Sequence, residues 1–221
     1  ALITSMMVSQ ISIVSATSNS SELTVDTGNI TQIQSTWEII ENIKKQDPAQ
    51  FIPNNITTDQ WKFISEQKLY NISMDIDTNA KNVVFKKNNI ALKISMPNQK
   101  SITLGKNHAG QVISKEKYYD IIIQSIDGGI RYILNINSQK ADKSYDFKMD
   151  IPTGYQLTQD KNGNVSILDA SCSIYATIAK PWAKDANGKE VNTWYTIKWS
   201  ILTQYVDFDK NSIFPIIADP I

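Results

Sequence analysis

From residue 82 onward, short runs of β-branched and aromatic residues are cut at regular intervals by Asp-Gly and Asn-Gly turns, a pattern that admits little besides an antiparallel fold. The turns Asp127-Gly128-Gly129, Asp160-Lys161-Asn162-Gly163 and Asp185-Ala186-Asn187-Gly188 each place glycine where a tight hairpin needs positive φ. Each also carries an aspartate able to bond its own downstream backbone. Alternation starts at Asn82, with runs 83–86 and 90–95 flanking an Asn88-Asn89 turn. Further strands are expected at 100–104, 118–126, 130–136, 144–149, 165–168, 174–178, 194–197 and 202–207. No helical crossover lies between them, so the expected fold is mainly β, an antiparallel β-sandwich or curled sheet.

The region before residue 81 reads differently. Residues 1–16, ALITSMMVSQISIVSA, are uncharged, apolar and rich in small residues, the pattern of a truncated secretory signal peptide. That run is too short for a spanning helix, so no transmembrane segment is expected. Residues 17–34 form a polar lead. A helical segment is expected over 35–80. Its first helix, about 36–45, opens on the capping-box pair Ser35 and Glu38 and ends at Asp47-Pro48. Its second, 57–69, has Thr57 and Gln60 as cap residues and Trp61, Ile64 and Leu69 as an apolar side. Residues 81–221 then make the β domain. Trp37 and Trp61 could stack on a sugar, but tryptophans on amphipathic helices ordinarily anchor packing.

Charge narrows the partners. With 22 basic and 22 acidic residues the chain has no large single-sign field, and nucleic acid is not an expected partner. One cysteine, Cys172, excludes an internal disulfide and a cysteine-based metal cluster, and one histidine, His108, excludes a two-imidazole site. A Cys172/His108 dyad has no support in the spacing, and both the Gly-x-Ser-x-Gly elbow and the glycine-rich phosphate loop are missing from the sequence.

Two clusters place oxygen donors around a glycine as a calcium loop begins: Asp160, Asn162 and Asn164, and Asp185, Asn187 and Glu190. Neither has the twelve-residue frame with its terminal bidentate glutamate, so both are read as hairpin turns; calcium held at either would be structural, and no other cofactor is expected. Glu116, Asp120, Asp127 and Asp207 are the acids available for a glycosidase-type pair. Asp207 and Asp209 alternate onto one face and read as a solvated pair. Acceptor triplets for N-glycosylation stand at Asn29, Asn55, Asn71 and Asn164.

Six stretches carry a resemblance: DGGIRYILNI at 127–136, YDFKMDIPTGYQL at 145–157, NGNVSILDA at 162–170, IAKPWAKDANGKEV at 178–191, LTQYVDF at 202–208 and FPIIADP at 214–220. Together they resemble an uncharacterised module of secreted Gram-positive proteins. The ending is also similar to the segment preceding repeat or toxin regions in cell-wall-associated proteins of the RHS and WapA type. Cys172 departs from that pattern, standing where a turn residue such as glycine is expected after Asp169, and relatives of this kind continue past the Ala-Asp-Pro element. The resemblance transfers no catalytic residue. Pro215 and Pro220 are expected to limit further strand pairing and blunt an edge.

These readings lead to a secreted, non-enzymatic β-rich module acting as a scaffold or presenting domain at a bacterial cell surface, its partner a cell-wall component or a protein. The alternatives are a pro-region or accessory domain of an exported toxin or bacteriocin, and a secreted hydrolase with paired carboxylates.

Overall fold

Alternation is the rule along most of the chain, and it sorts side chains into a buried and a solvated row. The computed structural model describes residues 56–219 apart from 60–61, 68–70, 78–80, 89, 98–102, 107–110 and 127. The larger sheet has eight antiparallel strands in the order β1 (Thr57–Asp59), β2 (Lys62–Gln67), β3 (Ile72–Asp77), β4 (Asn82–Lys87), β5 (Ile90–Ser95), β10 (Ser144–Asp150), β16 (Ile201–Val206) and β15 (Thr193–Lys198). A six-stranded sheet runs β14 (Trp182–Lys184), β17 (Ile216–Asp219), β9 (Gly129–Ile136), β8 (Tyr119–Ile126), β7 (Val112–Lys115) and β6 (Thr103–Lys106). The third sheet is a meander of β11 (Gln156–Gln159), β12 (Val165–Leu168) and β13 (Ile174–Ile178).

The two larger sheets face each other across one core. In β3, Ile72, Met74 and Ile76 point in while Ser73, Asp75 and Asp77 point out; in β10, Tyr145, Phe147 and Met149 are buried and the residues between them exposed. Tyr119 meets Tyr145 edge to face at 5.0 Å and Tyr132 meets Phe147 at 5.5 Å, each pair linking one sheet to the other. Such contacts add about 0.5–1.5 kcal/mol each beyond the area they bury. Val165, Ile167 and Ile178 bring the three-stranded sheet into the same core. β8 is different: seven of its eight residues are buried, on both faces of its sheet, which is why Ile121, Ile122 and Ile123 follow one another without a polar break.

The hairpin around Asn88, the strands at 165–168 and 174–178, and, within a residue or two, those at 118–126, 130–136, 144–149, 194–197 and 202–207 lie where the sequence puts them. Of the run expected at 100–104, Thr103 and Leu104 lie in β6, which continues to Lys106, and β3, β7, β11, β14 and β17 are strands that the sequence reading passed over, β3 within the expected helical segment 35–80.

Two expectations are corrected. The second helix is not formed: its described residues are β1 and β2, paired with each other, and β2 pairs along its length with β3. Phe63, outside the supposed helical stripe, is the buried residue, and Ile64 lies on the opposite face. A weak local helix preference yields because β2 pairs along its length with β3, and over Lys62–Ile64 with β1, while Phe63 is buried. The large sheet therefore begins at β1 rather than at residue 81. The first helix and the leader lie outside the described residues. The second correction concerns Pro215, which does not blunt an edge. It immediately precedes β17, an inner strand between β14 and β9 whose four residues are all buried. Proline ahead of a strand withdraws no ladder donor from it. Among the described residues no helix is long and apolar enough to cross a membrane.

Candidate functional site

The aspartate-led turns share one construction. In each, a single carboxylate oxygen accepts two backbone N–H groups: Asp160 Oδ1 from Asn162 (2.8 Å) and Asn164 (2.9 Å), Asp169 Oδ1 from Ser171 and Ser173 (both 2.9 Å), and Asp185 Oδ1 from Asn187 and Lys189 (both 2.9 Å). The fourth residue of each loop donates its N–H back to the aspartate carbonyl and sits at positive φ: Gly163 at 89°, Cys172 at 62° and Gly188 at 78°. Hydrogen bonds, first from the Asn164 side chain and then from the loop backbone, hold the Asp160 carboxyl below its ordinary value, and Asp169 is lowered chiefly by the Ser171 hydroxyl.

Both clusters weighed for calcium are built into these turns. Asp160 is joined to Asn164 a second time, Oδ2 accepting from Nδ2 at 3.0 Å, so its oxygens are turned onto the loop. Asn162 is held by its backbone, and Asp185 and Asn187 repeat the pattern. Glu190 stands beyond the second loop, exposed, its backbone paired with that of Lys184 in an isolated antiparallel β-bridge. Among the described residues no group of three or more His, Cys, Asp or Glu converges as metal binding requires.

The other sequence candidates are dispersed. Asp120 lies in β8, where burial pushes its carboxyl above the ordinary value against hydrogen bonds from Asn137 (3.0 Å) and Asn135 (3.2 Å) and the charge of Lys115. Asp207 follows β16 in the other large sheet, exposed and 3.6 Å from Lys143, and Asp209 is exposed in its own loop, as a solvated pair requires. Glu116 lies just before β8, its N–H bonded to the Tyr119 carbonyl. Cys172 is exposed. Of the acceptor asparagines, Asn71 and Asn164 are exposed. His108, Asp127, Trp37, Trp61, Asn29 and Asn55 lie outside the described residues. An open groove of about 240 Å³ lies among Glu66, Gln67, Asn71, Ile72, Ser73, Lys86 and Asn88.

The feature missed by sequence reading is aromatic. Trp194 in β15 stands opposite Tyr205 in β16, and their rings stack at 5.3 Å and 7° on the outward face of the eight-stranded sheet. Trp194 is 41% exposed, and β15 is an edge strand, so among the described residues no strand lies beyond the indole. The next pair on that face is Thr196 opposite Thr203, and the Thr203 hydroxyl donates to Asp146 Oδ1 at 2.7 Å. At the end of the same hairpin Trp199 is 86% exposed with φ of 58°. Period-two reading of TWYTIK puts Trp194 and Tyr195 on opposite faces but does not say which faces the core. No protein-family model, curated protein or solved structure matches the chain.

Proposed function

We propose that the protein is a non-enzymatic, secreted β-sandwich module that serves as a scaffold or presenting domain at a bacterial cell surface and docks there on glycan. The exposed Trp194–Tyr205 stack carries this reading. A flat aromatic face takes the C–H face of a sugar ring, and neighbouring hydroxyl and carboxylate groups take the sugar's hydroxyls. Thr196 and Asp146, exposed on the same face beside the stack, support that second part. The resemblance of the C-terminal stretches to segments of wall-associated proteins supports the location.

The test is co-sedimentation of the full chain with insoluble Gram-positive cell walls and with peptidoglycan stripped of protein. Trp194→Ala is expected to reduce the bound fraction about tenfold, the effect of losing about 1.4 kcal/mol of contact, with the far-UV spectrum unchanged. Binding indifferent to Trp194→Ala would remove the glycan reading. Release of soluble sugar that disappears in Asp120→Asn would replace the scaffold with an enzyme.

A further inference from the structure

Register gives the aromatic stack its neighbours in rows across β10, β16 and β15. The row after the Trp194–Tyr205 pair carries Asp146 and Thr196, and the row after that carries Lys148 and Lys198, one on either side of Ile201. Residues two apart on a strand share a face and stand about 6.8 Å from each other, so the lysine row lies about 14 Å from the stack. Along one direction the face thus passes from aromatic, through hydroxyl and carboxylate, to cationic.

The charges in the last row are available. Lys148 and Lys198 are both exposed, and among the described residues neither is in an ion pair. The acids on the same face are engaged or opposed: Asp146 accepts from the Thr203 hydroxyl at 2.7 Å, and Asp150, one row beyond the lysines, stands opposite Lys93 of β5. The chain as a whole has no excess of either sign, so attraction for an anion here is local.

Beyond Lys198 the chain reverses through Trp199 and Ser200. Trp199 takes φ of 58° in the first position of this two-residue turn, where glycine is the ordinary occupant. A bulky side chain is costly in that conformation, and with 86% of the residue exposed, packing offsets little of the cost. Neither turn chemistry nor burial accounts for a tryptophan at this point; a second aromatic surface for a ligand does.

We infer that this face takes a linear, negatively charged glycan. One sugar ring lies on the Trp194–Tyr205 stack, and the chain runs along β15 and β16 so that carboxylate or phosphate groups reach Lys148 and Lys198 and a further ring reaches Trp199. The inference rests on the glycan reading of the stack and adds length, direction and charge to it. A single sugar does not span about 14 Å of strand, whereas an oligomer does.

Titration calorimetry of the full chain with three linear hexamers tests this: N-acetylglucosamine as the neutral chain, galacturonate as the carboxylate and a phosphodiester-linked sugar as the phosphate. At low salt an acidic hexamer is expected to bind about tenfold tighter than the neutral one, the gap narrowing as salt screens the lysines. Whichever acidic hexamer binds tighter identifies the anion. Replacing both lysines, Lys148→Gln with Lys198→Gln, should remove the preference and leave affinity for the neutral hexamer unchanged. Trp199→Ala should weaken the hexamers several-fold and the corresponding dimers not at all. Equal affinity for all three hexamers, a preference that survives the double replacement, or dimers that bind as tightly as hexamers would each overturn the inference and leave the glycan reading in place. Absence of binding to every hexamer, or binding indifferent to Trp194→Ala, would remove the glycan reading and this inference with it.

Discussion

At the residue scale, Cys172 shows how a local rule and a particular side chain come into conflict. Its loop copies the Asp160 and Asp185 loops bond for bond, and in those two the left-handed position is glycine. A side chain with a Cβ at φ of 62° crowds the following carbonyl, at a cost of about 1–2 kcal/mol that the surrounding hydrogen bonds absorb. Cys172→Gly is therefore expected to stabilise the chain by about 0.5–1 kcal/mol in urea unfolding, even after the added freedom of the unfolded chain is counted. An unchanged or lower midpoint would mean the loop is not strained. The resemblance already set a turn residue such as glycine at this position, and the loop geometry shared with the Asp160 and Asp185 turns supplies the physical reason.

At the scale of elements, the two large sheets are tied by a latch at one end. Gln67, on the inward side of β2, donates from Nε2 to Ser125 Oγ (2.9 Å) and to the carbonyls of Ile126 (2.5 Å) and Gly129 (3.3 Å), while its Oε1 accepts from Gly128 N–H at 2.8 Å. Beside it, Ser65 donates to Ser125 at 2.8 Å. One amide thus serves the β8–β9 turn from the opposing sheet. Gln67→Ala leaves those groups without it and is expected to cost about 2 kcal/mol. Amide exchange at Gly128 and Gly129 should quicken more than exchange elsewhere in β8 and β9. Uniform acceleration across both sheets would instead make Gln67 a generic stability residue. No pattern in the sequence announces this latch, because its partners are about sixty positions away.

For the whole molecule, pH acts in two opposed directions. Asp160, Asp169 and Asp209 have carboxyls held below 3.8, Asp209 chiefly by the Asn211 N–H. Their contribution is present above the unfolded value and is lost as pH falls through the lower folded values. Asp120 is raised above 3.8, chiefly by burial, so its protonated form suits the fold. Its contribution is full below 3.8 and is lost as pH rises through the raised value. Asp120→Asn should therefore be more stable than wild type at neutral pH, with the gap closing as pH falls toward 4. Asp169→Asn should be less stable at neutral pH, with its deficit also closing in acid. Urea midpoints for the three proteins between pH 3 and 7 check both signs; a constant gap for Asp120→Asn would show that its charge does not oppose folding.

What the sequence determined by itself was local: where most strands lie in the β region, which turns reverse them, and that Asp, Asn and Gly carry those turns. These follow from side-chain period and φ preferences, which act over a few residues. Tertiary structure alone decided the order of strands in the sheets, the conversion of an expected helix into β1 and β2, the burial of the Ile216–Asp219 strand between two others, and the outward facing of Trp194 instead of Tyr195. A strand's backbone bonds and its buried face belong to partners far along the chain. For β2 and β17 the gain from that distant pairing outweighed what their neighbouring residues favoured.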